Sequence, residues 1–440
     1  MTHTHTSKCR LGTSVLLAAL ALPQVVQAQS DEALLQRIDA LEQRLIELET
    51  TTVLSDPETS VKRIEVFIDA NGIEHDSQVP GSQRVVTYQR QRVFRRQTIN
   101  EKIEEALADA ESRNVQLGVD AAIVMQNVQQ NRGQTQGADG STYQLASTDL
   151  YFTAGLAQYT MFFADIVGLS GTPQGDGTDG ELAQTNGYGA RLTQQNDLSL
   201  REAWLMTQLW DQQLSLTIGR VDLTNYFDNN AAANDETSQF LSDSLVNNPA
   251  LGLAENGAGM ALVYDPKGAF SARLGYQQST DAATNLSDSL YQLVEIVYRA
   301  NPLRMGEGNY RLWYRQDNTI GGGLSAHGLS FDQKLSAGIT AFTRYGNNEV
   351  EGNSENDIHY SAGVQFANGL GFNPEDAWGI GYSGSDLADK SNERLVEGYY
   401  NLRIAEKLQL SFHLAYLTEK AAAAEAVSYL VPGTRLQASF

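Results

Sequence analysis

Over most of its length the chain alternates apolar and polar side chains with period two. In GMALVYD the residues Met260, Leu262 and Tyr264 share a face. In AFSARLGYQ, Phe270, Ala272, Leu274 and Tyr276 oppose Ser271, Arg273, Gly275 and Gln277. NYRLWYRQ places Tyr310, Leu312 and Tyr314 against Arg311, Trp313 and Arg315, and KLSAGITAFTRYG continues the pattern with Leu335, Ala337, Ile339 and Ala341. Side chains alternate across a strand, so this pattern predicts antiparallel strands with one apolar and one polar face. Tight-turn compositions such as Asp265-Pro266-Lys267-Gly268 separate some runs and long polar stretches separate others. Short turns alternating with long loops is the rhythm of a transmembrane β-barrel.

The region ahead of residue 113 reads differently. Lys8 and Arg10 precede an apolar run and VQA precedes Gln29, which predicts a signal peptide over 1–28. Leu34, Ile38, Leu41, Leu45 and Leu48 follow at spacings of four and three. This is a heptad seam, with Arg37/Glu42 and Arg44/Glu49 at g and the following e, and it predicts a parallel coiled coil within 29–50. Residues 51–112 are expected to form a small periplasmic region: a hairpin running to Asn71-Gly72, then a helix opened by Thr98 and Glu101. Arg84, Arg90, Arg92, Arg95 and Arg96 concentrate positive charge there, which suits a solvated face, an intersubunit contact or an acidic polymer such as peptidoglycan.

A formal charge of -22, two units more negative once Lys8 and Arg10 are removed, makes nucleic acid a poor partner. The single cysteine, Cys9, falls in the signal segment, so no disulfide framework is expected. His75, His327, His359 and His413 come with no Gly-x-Ser-x-Gly elbow and no metal-ligand spacing, so neither an enzyme nor a cofactor is expected. The chain stops on GTRLQASF, with Leu436, Ala438 and Phe440 on one face. A final strand ending in Phe matches the signal by which outer-membrane barrels meet their assembly machinery. From 113 to 440, at roughly twenty residues per strand plus connection, about sixteen strands are expected in an even-numbered barrel.

One stretch interrupts the alternation. From Gly219 to Gly257, GRVDLTNYFDNNAAANDETSQFLSDSLVNNPALGLAENG is rich in Asn and acidic residues and sits between the strand faces of LSLTIGR and GMALVYD. A wide wet barrel needs narrowing, and a polar segment of this length suits an infolded loop. Candidate lining residues in it are Asp222, Tyr226, Phe227, Asp228, Asn234, Asp235, Glu236, Asn247 and Asn248. On the strands the candidates are Arg201, Trp204, Arg311, Trp313, Arg315, Arg344 and Trp378. Aromatic faces would stack on sugar rings, arginines would donate and carboxylates accept. The loop acids are expected to face the strand arginines across a narrow wet gap.

This segment, with LREAWL before it and FDQKLSAGITAFTRYG, FANGLGFNPEDAWGIGYSG and ERLVEGYYNLRI after it, resembles the carbohydrate-selective, OprB-type porin family of bacterial outer membranes. The resemblance covers roughly 113 to 440. It implies a trimeric outer-membrane porin passing sugars or similar small polar solutes by diffusion, and the preceding coil is similar to the periplasmic trimerising segment of sucrose-type porins. A general or cation-preferring porin on the same barrel is the alternative, since acidic rings favour cations. A tether from outer membrane to cell wall through residues 29 to 112 is compatible with either.

Overall fold

The computed structural model describes residues 59–68, 74–75, 80 and 83–92, and from 115 to 440 all but 134–139, 172–181, 183–184, 191–196, 253–256, 279–289, 303–304, 319–323, 351–354 and 371–372. The expected signal peptide, the coiled coil, the Asn71-Gly72 turn and the helix after Thr98 lie outside the described residues.

Ahead of the barrel, β1 (Thr59–Ile68), β2 (Glu74–His75) and β3 (Gln83–Arg92) form an antiparallel sheet in the order β2-β1-β3. Phe67 pairs with His75 and Ile68 with Glu74, so β1 and β2 run antiparallel.

The barrel begins with β4 (Val115–Asn127) and β5 (Gln129–Arg132), a single wall strand interrupted at Val128, then β6 (Thr142–Ala157), β7 (Thr160–Gly171), β8 (Asp197–Leu209) and β9 (Leu214–Val221). It continues through β10 (Gly257–Tyr264), β11 (Phe270–Gln278), β12 (Leu290–Ala300), β13 (Gly308–Asp317), β14 (Leu324–Ser336) and β15 (Ile339–Val350). It ends with β16 (Asp357–Phe366), β17 (Ala377–Asp386), β18 (Asn392–Ala405), β19 (Leu408–Lys420) and β20 (Val427–Ser439). Each strand pairs antiparallel with its sequence neighbours and β20 closes on β4 and β5, giving a closed sixteen-stranded barrel, the count expected from length. At the seam Phe440 N donates to Val119 O at 2.8 Å and Val119 N to Phe440 O at 3.0 Å. Closure leaves no edge, the condition for β-structure in hydrocarbon, where an unpaired backbone group has no solvent partner.

The two faces invert the rule for soluble sheets. On β13, Arg311, Trp313, Arg315 and Asp317 are buried, while Leu312 and Tyr314 are 54% and 50% exposed. β12 repeats this with Glu295 buried between exposed Val294 and Ile296. Charged residues inside and apolar residues outside is the partition of a barrel with a polar interior and a lipid-facing wall. At the short-turn end the outer face carries a ladder of rings, Phe270 to Tyr298 at 4.9 Å, Tyr298 to Tyr310 at 6.2 Å and Tyr310 to Phe331 at 5.5 Å, running from β11 to β14. Trp378 belongs to the same girdle, stacked at 3.9 Å on Phe366, and so leaves the set of interior aromatics anticipated from sequence.

Candidate functional site

Val221 pairs with Gly257, so the 222–256 segment leaves and re-enters the wall at one point between β9 and β10. It folds through local capping rather than strand pairing. Asp222 accepts from Thr224 N at 3.0 Å and opens the turn Leu223–Asn225. Ser242 precedes one helical turn, Asp243–Val246, and Asn248 accepts from Ala250 N at 3.2 Å to open Pro249–Leu251, which ends at Gly252 with φ 47°. Asn, Asp and Ser satisfy nearby backbone groups in this way, which explains a composition poor for strands and rich in caps.

Its few apolar residues are its anchors. Phe227, Phe240, Leu245 and Ala250 are buried, and inward glycines make room for three of them. A Cβ on Gly275 would lie 2.6 Å from the Phe227 ring, one on Gly381 2.9 Å from Leu245, and one on Gly346 2.3 Å from Ala250. Phe240 meets Tyr399 edge-on at 4.8 Å.

Charged wall residues hold the segment's backbone. Arg344 on β15 reaches Asp228 Oδ2 with Nε at 2.6 Å and donates from Nη1 to Leu245 O at 2.8 Å. Arg315 on β13 donates to Ala250 O at 2.9 Å and meets Asp317 at 3.2 Å. Arg435 on β20 donates to the carbonyls of Glu236 and Gln239. From β12, Glu295 accepts from Asp228 N at 2.7 Å while pairing with Arg273 at 3.0 Å. From β18, Glu397 accepts from the consecutive amides of Leu241 and Ser242 at 2.8 Å each. Its Oε1 also meets His413 Nδ1 at 2.7 Å, and His413 Nε2 meets Ser411 Oγ at 2.8 Å. The bonds come from inward faces on widely separated strands.

This arrangement corrects the picture of acids and arginines facing each other across water. Arg344 and Asp228 form a direct pair with side chains 2% and 4% exposed, and Arg201 pairs with Asp222 at 2.8 Å. The anticipated stacking platforms are covered. Trp204 packs on Phe163 at 4.8 Å within the interior cluster, Tyr226 and Phe227 are buried in the same cluster, and Trp313 lies against Gly328, where a Cβ would come within 2.2 Å of its ring. Asn247 binds Asp243 at 2.6 Å, Asn248 donates to Tyr345 O at 3.3 Å, and Glu236 is half-buried.

Three of the expected residues, Arg311, Asn234 and Asp235, do share a cavity of about 340 Å³. One wall is the 229–239 stretch; the other is built from the short-turn ends of β13 and β16 to β19, including Gln365, Asn401, Arg403 and Gln409, with Glu375 in the turn before β17. Three of its four charged side chains are ion-paired, Arg403 with Glu375 at 3.7 Å and Arg311 with Asp332 at 2.5 Å, while Asp235 accepts from Thr237 N at 2.9 Å and Ser238 Oγ at 2.6 Å. Among the described residues no aromatic side chain lines it. Arg435, Glu397 and Glu295 were missed in the sequence, although a charged residue at inward parity within an alternating run was the signal for each.

In the segment, burial pushes the Asp243 carboxyl up to about 6; the Asn247 amide pulls it back and the Glu236 charge adds to the rise. A carboxyl that binds its proton more tightly in the packed segment favours packing at low pH. The contribution is complete below the ordinary value near 4 and is lost as pH rises through about 6. The protection factors of Ser244 to Val246, corrected for the intrinsic pH dependence of exchange, are therefore expected to fall between about pH 5 and 7, and Asp243→Asn to flatten that fall. An unchanged profile in that variant would assign the effect to another group.

No family model matches the chain. An uncharacterized protein of Aquifex aeolicus (strain VF5) is 24% identical over 249 residues, 56% of this chain and 70% of that one. The high-pH structure of Pseudomonas putida OprB superposes with a TM-score of 0.62 at 14% identity, covering 77% of this chain and 96% of that one. The low-pH structure of the same protein gives 0.51 at 14% identity over 77% and 95%. What these structures share with this chain is the fold, the closed porin barrel.

Proposed function

We propose that the protein is a passive outer-membrane channel in which the 222–256 segment, folded inward, narrows a water-filled barrel for small polar solutes. The observation that carries this reading is the ring of bonds from Arg344, Arg315, Arg435, Glu295 and Glu397 to that segment's backbone. A sixteen-stranded barrel leaves an aqueous channel unless something fills it. The polar cavity beside Arg311 and Asp235 is then part of the passage. The resemblance to carbohydrate-selective porins supports sugars as solutes. Here they would be held by amide and carboxamide hydrogen bonds rather than by ring stacking, because the described lining has Asn, Gln and Ser and no aromatic face. Weak, multiple contacts of this kind suit conduction, which requires binding loose enough to release. The cation-preferring alternative is the less favoured, since the two cavity acids, Glu375 and Asp235, share the lining with two arginines, Arg403 and Arg311.

In this reading the protein performs no chemistry, residues 29 to 112 lie in the periplasm, the chain assembles as a homotrimer, and Phe440 engages the barrel-assembly machinery; peptidoglycan is a candidate partner for the arginine-rich stretch. Single-channel recording with panels of sugars and salts tests the function. Ion current blocked reversibly by neutral sugars, with weak cation over anion preference, is expected; a strongly cation-selective current indifferent to sugars would replace this reading with the alternative. Membrane placement has its own test. Leu312→Arg on the outer face should cost about 2–4 kcal/mol near the bilayer midplane, measured by urea unfolding in vesicles. Ala231→Arg, at an exposed position of the cavity wall, is the control that should be tolerated.

A further inference from the structure

Between the 222–256 segment and the wall lies a smaller cavity that the transport reading does not use. Its volume is about 10 Å³, room for a single occupant the size of one water. It is lined by Asp120 on β4, Ser147 and Asp149 on β6, Gln437 on β20, Tyr188 in the turn Gly187–Ala190 and Thr237 in the segment. Inward parity sets the wall donors in two adjoining rows. Asp120 pairs in register with Asp149, and Ala122, the next inward position on β4, pairs with Ser147 on one side and Gln437 on the other. The two carboxylates therefore enter the cavity from neighbouring strands, 4% and 6% exposed. Like charges directly opposite each other destabilise a sheet, so such a pair asks for something shared between them.

Gln437 makes the same demand independently. Its side chain is 3% exposed and lines the cavity, yet neither its carboxamide nitrogen nor its oxygen has a hydrogen-bond partner among the described residues. Gln126, an inward carboxamide on β4, shows what the interior ordinarily provides. It donates to Thr185 O at 3.0 Å and accepts from Asn186 Nδ2 at 2.8 Å. A buried amide that has given up water for no partner is costly, and an occupant of the cavity would repay it.

We infer that this cavity is a calcium site, held by the carboxylates of Asp120 and Asp149 and completed by the Gln437 carboxamide oxygen and the hydroxyls around it. Every donor is oxygen, the choice of a hard cation, and two carboxylates balance a divalent charge. Among the described residues no three of His, Cys, Asp and Glu converge, so the neutral oxygens have to complete the shell, as calcium accepts. Magnesium is the poorer fit, because it retains several waters and the cavity has no room for them. The bound ion would tie β20 to β4 and β6 at the barrel seam and pin Thr237, and with it the segment, to a wall where the arginine clamps do not reach. Donors drawn from four parts of the chain leave no ligand spacing in the sequence. The inference goes beyond the transport reading and stands whatever the channel passes.

The test uses the full chain, refolded in detergent free of lipopolysaccharide and stripped with a chelator. Terbium takes calcium's place among oxygen donors and is excited through a nearby phenol, which Tyr188 supplies. Tyrosine-excited terbium emission is expected to saturate and to be reversed by calcium but not by equal magnesium. Asp149→Asn should weaken that competition roughly tenfold or more, since the charge count of the ligands sets the affinity of calcium sites. A second measurement needs no variant. Calcium should raise the temperature at which the wild-type heat-modifiable barrel is lost, and magnesium should not. Terbium emission and calcium competition unchanged in Asp149→Asn, or a transition that calcium leaves where it was or magnesium raises equally, would mean that the cavity holds water only. Neither readout involves solute flux, so a failure here is distinct from a failure of the channel reading.

Discussion

Replacing Asn229–Asn248 by a short Gly/Ser linker is expected to raise single-channel conductance by roughly threefold or more, since an unobstructed sixteen-stranded barrel leaves an open aqueous channel. The replacement leaves Val221 and Gly257 paired, so the shortened segment still leaves and re-enters the wall at one point. It removes Phe240 and Leu245 from the interior and frees Glu397 and Arg435 from the amides and carbonyls they now hold. Both charges then face water, where they need no protein partner, so the wall should survive. Discrimination among sugars should disappear with the cavity wall that Asn234, Asp235 and Gln239 provide. Liposome swelling reads the outcome directly. A shortened channel that keeps its size cutoff and solute ranking would mean that the segment does not set the constriction.

Arg344→Ala should have the largest effect of any single substitution in the interior. It takes from the Asp228 carboxylate, whose pKa burial already pushes up, its direct ion-pair partner and leaves only the charge of Arg311 nearby, and it releases Leu245 O and Asp228 O together. Removing one partner of a buried ion pair costs about 3–5 kcal/mol, because the remaining charge is left without compensation. The expected result is a lower temperature for loss of the heat-modifiable barrel and a noisy current as the segment moves. Pairing Arg344→Met with Asp228→Asn should recover much of the loss, since no unpaired charge remains. A quiet, fully stable Arg344→Ala channel would show that the other clamps suffice.

Much of the wall was legible because its signal is local. A strand's side chains alternate whatever lies across from them, so the opposition of Leu312 and Tyr314 to Arg311, Trp313 and Arg315 assigned the two faces of β13 correctly. The strand count followed from length in the same way. The caps at Asp222 and Asn248 are local as well, bonding backbone groups two residues on, yet both residues were read from the sequence as lining residues. Arg311, Arg315 and Arg344 carry one and the same sequence signal, however, and only Arg311 reaches the cavity. Arg315 and Arg344 are consumed by carbonyls more than sixty residues away in the chain.

By itself, then, the sequence determined a barrel, its two faces, its approximate size and the presence of one exceptional polar segment, because period, composition and capping act over a few residues. The tertiary structure decided which interior residues meet solvent, that the segment is keyed by Gly275, Gly346 and Gly381, and that Trp204 and Trp313 support packing instead of offering open faces. Those outcomes depend on where the 222–256 segment comes to rest against strands distant in the chain, and no local pattern encodes that position.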